Sequence, residues 1–238
     1  MLAYARAAGY EIYWISNQDD VYLSSLFGSY TDKAIYKNRR SGRSISSLDE
    51  NLFPDYQQAL ADPEPKKLII LHLIGAHPNY QERYPAVFNR FTSASNDAVE
   101  NDLKNRDIDP WIRSLRNDYD NAVLYEDSLL AKFLDELQAD HVPDFRSFMV
   151  VSDHGNEVGH EIDYAGHSPN TKAGYQVPVI MWYDHIPSTG VDKTRTLNTA
   201  ELDNNLMHIM GLKEKSALKR TYWLDDNYQF SPEENWPY

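Results

Sequence analysis

The sequence contains no cysteine. That excludes disulfides and thiolate zinc sites, leaves the redox compartment open, and means any metal must be held by nitrogen and oxygen ligands. No run of about 18 apolar residues occurs, so a transmembrane helix is not expected within this stretch. Nor does an apolar h-region follow Met1-Leu2-Ala3-Tyr4-Ala5-Arg6, so no signal peptide is expected there. Positive charge is scarce: 23 Lys+Arg against 36 Asp+Glu give a formal net charge of −13. Without a basic stripe to neutralise phosphates, no nucleic-acid partner is expected. An acidic surface also repels anionic lipid head groups, so a membrane substrate would have to be captured by a local site. Internal repeats and low-complexity segments are absent.

What is present is the composition of a folded domain, 42% hydrophobic and 13% aromatic over 238 residues, long enough for one sizeable α/β core. Residues 2–8 read as the end of a helix closed by Gly9, and Glu11 to Ile15 as a strand leading into Ser16-Asn17-Gln18-Asp19-Asp20. A start on a bare helix suggests an arbitrary cut at Met1. Residues 21–53 are weakly patterned, with a small basic loop at Arg39-Arg40-Ser41-Gly42-Arg43. Pro54 to Leu60 reads as a short helix. Lys67 to Ile74 is apolar throughout and is expected to be a central strand covered on both faces. Residues 86–116 read as a long polar connection. Asp118 to Leu137 has helical spacing of Val123, Leu124, Leu130, Phe133, Leu134 and Leu137. Its acidic members, Asp120, Glu126, Asp127, Asp135 and Glu136, are expected on a solvated face. Strands follow at 147–152 and 177–183, then a helix over 200–210 capped by Asn198 or Thr199 and stopped by Gly211. His208 falls in its apolar rhythm. Strand–helix alternation of this kind predicts a mostly parallel sheet with helices on both faces.

The chemistry concentrates where strands end. The run Phe148 to Val151 stops abruptly in Ser152-Asp153-His154-Gly155, with His160 and His167 downstream. In open α/β sheets, ligands gather at the carboxyl ends of strands, and a carboxylate beside a neutral imidazole suits a zinc-like ion. The bland alternative is a plain turn, in which Asp153 caps and Gly155 permits the bend. Lys67 to Ile74 repeats the logic: it runs into Gly75-Ala76-His77-Pro78. His72 inside that strand reads as a satisfied core histidine, and His77 at its exit as the better candidate.

These stretches resemble the lipid-A-type phosphoethanolamine transferases of the alkaline phosphatase/sulfatase superfamily. The resemblance is carried by His72-Leu73-Ile74-Gly75-Ala76-His77-Pro78-Asn79-Tyr80 with Arg83-Tyr84-Pro85. It continues in Tyr119-Asp120-Asn121 with Tyr125 and Asp127, in Ser152-Asp153-His154-Gly155 with Glu157, and in Val177-Pro178 to Trp182. Ala8 to Gln18 matches an earlier strand and its exit. The resemblance implies a three-layer αβα fold with a mostly parallel central sheet, alkaline phosphatase/sulfatase-like. Residues 1–212 would be part of the catalytic domain and 213–238 a C-terminal arm or tail. It implies zinc as cofactor, with Asp153 and His154 as metal ligands and His77 and His167 facing the phosphoryl group or a second metal. His160 is an additional histidine in the loop, and the Tyr119-Asp120-Asn121 segment would shape the site rather than act in it.

The implied activity is transfer of phosphoethanolamine from phosphatidylethanolamine to lipid A, a core sugar or another glycan, through a zinc-activated threonine. The implied setting is the bacterial inner membrane, with a membrane-embedded N-terminal part and a catalytic domain facing the periplasm. In the family, an acidic zinc ligand and that threonine lie N-terminal to the segment matching Met1. The catalytic domain is therefore expected to be N-terminally incomplete here, and the isolated chain inactive. Ser152 belongs to a strand, and Thr92 and Thr171 lie in unmatched loops. Two other readings stand beside this one: a sulfatase or metallophosphatase that hydrolyses, and a non-catalytic truncated module.

Overall fold

Strand β1, Glu11–Ser16, is buried from Ile12 to Ser16, the pattern of a strand covered on both faces. The computed structural model describes residues 1–18, 21–38, 47–95, 97–140, 145–184, 194–213 and 222–231. Its helices are α1 (Leu2–Ala7), α2 (Val21–Phe27), α3 (Phe53–Leu60), α4 (Ala98–Asn105), α5 (Pro110–Ala139) and α6 (Leu202–Ile209). The further strands are β2 (Lys33–Tyr36), β3 (Lys67–His72), β4 (Ser147–Val151), β5 (Glu157–Val158), β6 (Ala165–Gly166) and β7 (Val179–Tyr183). Among the described residues β1 lies between β2 and β3, parallel to both. β4 pairs antiparallel with β7, and β5 with β6.

Alternation along β1 sends successive side chains to opposite faces. Tyr13 and Ile15 join Leu52, Tyr56, Ala59, Tyr125, Leu129 and Phe133, a core closed by α3 and α5. Ile12 joins Leu2 and Ala5 of α1, with Met210 and Leu212 from the end of α6 packed alongside. Helices thus cover both faces of a parallel sheet, the α/β architecture read from the sequence.

Several details differ from the sequence reading. β3 is not the central strand among the described residues: it flanks β1, and each of its residues is only half-buried. Residues 86–116 are not one polar connection, since they hold α4 and the first turns of α5. Both helices begin on aspartate caps, Asp97 Oδ1 accepting from Glu100 N at 2.9 Å and Asp109 Oδ1 accepting from Trp111 N at 2.7 Å. Pro110 then occupies the first turn of α5, where its missing N–H costs nothing. The weakly patterned stretch 21–53 contains α2 and β2. Glu126 is buried rather than on a solvated face, and Asp120 is partly buried in an ion pair with Arg116 at 2.8 Å. His208 is exposed and stacks on Tyr222 with ring centroids 3.8 Å apart. Asp19, Asp20, the basic loop at 39–43 and Trp236 lie outside the described residues.

The described part of the C-terminal segment packs on α6. Trp223 is buried and donates its backbone N–H to Asn205 Oδ1 at 2.8 Å, while the Tyr228 hydroxyl donates to Glu201 Oε2 at 2.9 Å. β3 and β4 both line one cleft of about 2370 Å³, which Leu206 and Ile209 of α6 also line. Each keeps an unpaired edge among the described residues. Val123, 42% exposed despite its place in the apolar rhythm of α5, also lines this cleft.

Phe133 is fully buried between α3 and β1 and meets Tyr56 edge-on at 5.2 Å. Phe133→Ala is expected to lower stability by about 3–5 kcal/mol, the usual range for deleting a core aromatic. Urea denaturation checks this, and a loss below about 1 kcal/mol would show that the site collapses around the missing ring.

Candidate active site

The loop after β4 is built on close backbone approach. A Cβ at position 155 would stand 2.0 Å from the Ala173 carbonyl oxygen, so only glycine fits. Gly155 N donates to the Gly174 carbonyl at 3.0 Å, which seats segment 172–174 against the loop. Ser152 falls just past the strand rather than within it, and its hydroxyl donates to the His154 carbonyl at 2.7 Å. Asp153 Oδ1 accepts the His154 backbone N–H at 3.0 Å. This leaves Oδ2 at 3.7 Å from His154 Nε2, with the Asp153 side chain 87% exposed. His154 Nδ1 donates to the Gly155 carbonyl at 3.0 Å. That bond fixes the tautomer and leaves Nε2 with a lone pair for another partner.

The exit of β3 is held just as firmly. Arg83, only 2% exposed, places Nε at 3.4 Å from the His77 carbonyl and Nη2 at 3.2 Å from the Pro78 carbonyl. His77 Nδ1 lies 3.2 Å from the same Pro78 carbonyl. Asn156 Nδ2 donates to the Ala76 carbonyl at 3.1 Å, tying the β4 loop directly to the β3 loop. His72 meets the Ser16 hydroxyl at 2.8 Å through Nδ1, a bond internal to the sheet.

Of the four residues singled out from the sequence, His77, Asp153 and His154 line the cleft, as does His160. His167 comes in beside His154, the ring centroids 4.2 Å apart and the planes inclined by 57°. Among the described residues no three His, Asp or Glu side chains converge as a metal cluster. Asp153 and His154 nevertheless fit part of a zinc shell. A tetrahedral ion with bonds of about 2.0–2.1 Å sets neighbouring donors roughly 3.3 Å apart, close to the 3.7 Å observed. The pair would supply two of the four donors such an ion takes.

Asn121, in the segment expected to shape the site, holds the 90–91 backbone, whereas sequence reasoning missed the parts played by Asp118 and Arg116. Asn121 is fully buried: its Oδ1 accepts from Arg90 N at 2.7 Å and Phe91 N at 2.8 Å, and its Nδ2 donates to the Phe91 carbonyl at 2.9 Å. The Tyr84 hydroxyl donates to Asp118 Oδ1 at 2.8 Å. Burial and then the Arg116 guanidinium hold the His160 imidazole below its ordinary pKa, favouring the neutral ring at physiological pH. Arg116 Nη1 lies 3.3 Å from His160 Nδ1.

Because Gly155 cannot take a side chain without moving Ala173, Gly155→Ala is expected to break the Gly155–Gly174 bond and cost roughly 2–4 kcal/mol. Faster amide exchange at Gly155, with a lower urea midpoint, is the expected result; unchanged exchange would show that the loop absorbs the methyl group.

With this geometry in hand, comparison with known proteins is direct. The model of the family described as Sulfatase matches residues 1–212. The phosphoethanolamine transferase EptC of Escherichia coli K12 is 31% identical over 221 residues, covering 87% of this chain and 37% of EptC. The phosphoethanolamine transferase CptA of Salmonella typhimurium is also 31% identical, over the same shares of the two proteins. The crystal structure of the C-terminal periplasmic domain of E. coli EptC in complex with Zn matches with a TM-score of 0.82 at 27% identity. That match covers 97% of this chain and 66% of the domain. The chain spans just over a third of the length of the curated relatives it matches. It belongs to the sulfatase family, and the members it is similar to are phosphoethanolamine transferases.

Proposed function

We propose that this chain forms the metal- and phosphoryl-facing side of an enzyme that moves phosphoethanolamine from phosphatidylethanolamine to lipid A, a core sugar or another glycan acceptor. The observation that carries the reading is the convergence of two strand-exit loops on one cleft, with Asn156 bonded to the Ala76 carbonyl at 3.1 Å. That bond sets the Asp153–His154 loop beside the loop bearing His77. The sulfatase family match and the zinc in the EptC domain crystal support the chemistry assigned to them.

In this reading Asp153 Oδ2 and His154 Nε2 hold the zinc, whose chemistry when bound is to neutralise phosphoryl charge and acidify a hydroxyl. His154 is kept in register by its Nδ1 bond to the Gly155 carbonyl. His77 and His167 face the phosphoryl group, neutralising part of the charge that spreads over its equatorial oxygens and giving a proton to the departing alkoxide. Ser152, the hydroxyl adjacent to the pair in sequence, is occupied by the His154 carbonyl. The nucleophile is therefore assigned to a threonine outside residues 1–238. A strand carrying it would have a place between the unpaired edges of β3 and β4. Residues 1–212 are the sulfatase-like part, and the contacts of Trp223 and Tyr228 with α6 support 213–238 as an arm.

No helix among the described residues is long and apolar enough to cross a membrane. Placement at the bacterial inner membrane, with this part facing the periplasm, rests on the periplasmic domain of EptC.

Two measurements test the reading. Elemental analysis is expected to find zinc in the purified chain and to lose it in both Asp153→Ala and His154→Ala; zinc retained by both variants would overturn the ligand assignment. The second uses a chimaera that joins the preceding part of the E. coli EptC domain to this chain, with labelled phosphatidylethanolamine and lipid A. Transfer is expected in the chimaera and not in the isolated chain, and His77→Ala is expected to lower turnover about 10²-fold or more, as loss of an acid–base group does, with zinc occupancy kept. Release of free phosphate without transfer would favour a hydrolase instead.

A further inference from the structure

Asp49, 2% exposed in the 3-10 turn before α3, gathers the exits of two strands. It accepts from Asn17 Nδ2 at 2.8 Å, past the end of β1. It also accepts from Ile74 N at 3.0 Å through both oxygens, and from Gly75 N at 2.8 Å, past the end of β3. These N–H groups occupy both Asp49 oxygens as acceptors. Glu126 of α5 abuts this group, 9% exposed, and among the described residues no donor reaches either of its oxygens. Two bare carboxylates cannot share such a place, and a proton on one turns the repulsion into a hydrogen bond.

We infer that Glu126 is kept as the neutral acid and donates its proton to Asp49, latching α5 onto the strand exits that carry Asn17 and His77. The other charged and titratable groups nearby agree with this division. The buried Arg83 guanidinium lies within electrostatic reach of Asp49. The Tyr125 hydroxyl accepts from Glu50 N at 3.3 Å, and the Glu50 side chain belongs to an exposed residue. Neither hydrogen-bonds to a Glu126 oxygen. Burial first, and then the Asp49 charge, push the Glu126 carboxyl up to about 10. Glu126 is a positioning residue here, acting on the loop through Asp49, and the inference does not depend on the proposed transfer.

The sign of the pH effect follows from where the proton goes. The folded state keeps a proton that unfolded Glu126 loses above its ordinary value of 4.5, so unfolding releases one proton and is favoured as pH rises. Glu126→Gln keeps an N–H donor for Asp49 and cannot titrate. Urea unfolding of both proteins across about pH 5.5 to 8.5 is expected to show the ratio of unfolding constants, parent over E126Q, rising about tenfold per pH unit. A flat ratio would overturn the inference. Independently of any variant, the infrared spectrum of the parent labelled with ¹³C-carboxyl glutamate is expected to show a protonated glutamate carboxyl at neutral pH. Its absence would also overturn it. The latch itself is read at Ile74 and Gly75. Their amide exchange is expected to stay unchanged in E126Q and to accelerate at least about tenfold in Glu126→Ala, the size of one lost hydrogen bond. Equal protection in parent and E126A would mean that Asp49 holds the loop without Glu126.

Discussion

The site depends on a single buried carboxylate being fully hydrogen-bonded. Asp49 ties Asn17 at the end of β1 to Ile74 and Gly75 at the end of β3, and His77 stands two residues further along. Strand ends are where backbone N–H groups lose their ladder partners, and a buried N–H left unpaired is costly. One acidic side chain at that point answers the need of several donors at once. It also settles where the β3 exit loop can lie before any ligand is considered.

Helix α5 serves this arrangement as a beam. At 30 residues it is about 45 Å long at 1.5 Å per residue, and it presents different side chains to different tasks along its length. Leu129 and Phe133 fill the core under β1, and Asn121 pins the 90–91 backbone. Arg116 pairs with Asp120 and reaches His160, and Glu126 meets Asp49. Polar groups on its inner face would weaken a plain packing helix. Here they are spent on fixing loops that have no secondary structure of their own.

The strand-exit logic was readable in one dimension. An apolar run ending in Asp-His-Gly, and another ending in Gly-Ala-His-Pro, place polar chemistry at the carboxyl ends of strands in an α/β fold. Other features carry weaker signals. Asp109-Pro110 and Asp97 with Glu100 are ordinary helix-start signatures, yet the polar character of 86–116 masked them. Glu126, read with the other acidic residues of its helix as part of a solvated face, is buried instead. Its burial follows from the helix phase relative to Asn121, Ala122, Tyr125, Leu129 and Phe133, all of which face inward.

The sequence by itself determined the local facts: that its strongest apolar runs are strands (β1, β3, β4 and β7), and that the metal-binding chemistry must be oxygen and nitrogen. Those depend on residue type and short-range spacing, which a linear chain states outright. Only the tertiary structure decided that β1 rather than β3 is flanked on both edges, that Asn156 brings the two histidine-bearing loops together, and that Asp49 and Glu126, 77 positions apart, share one buried place. These rest on contacts between distant segments, whose energies depend on burial and on which donors are left unpaired. No local pattern encodes them.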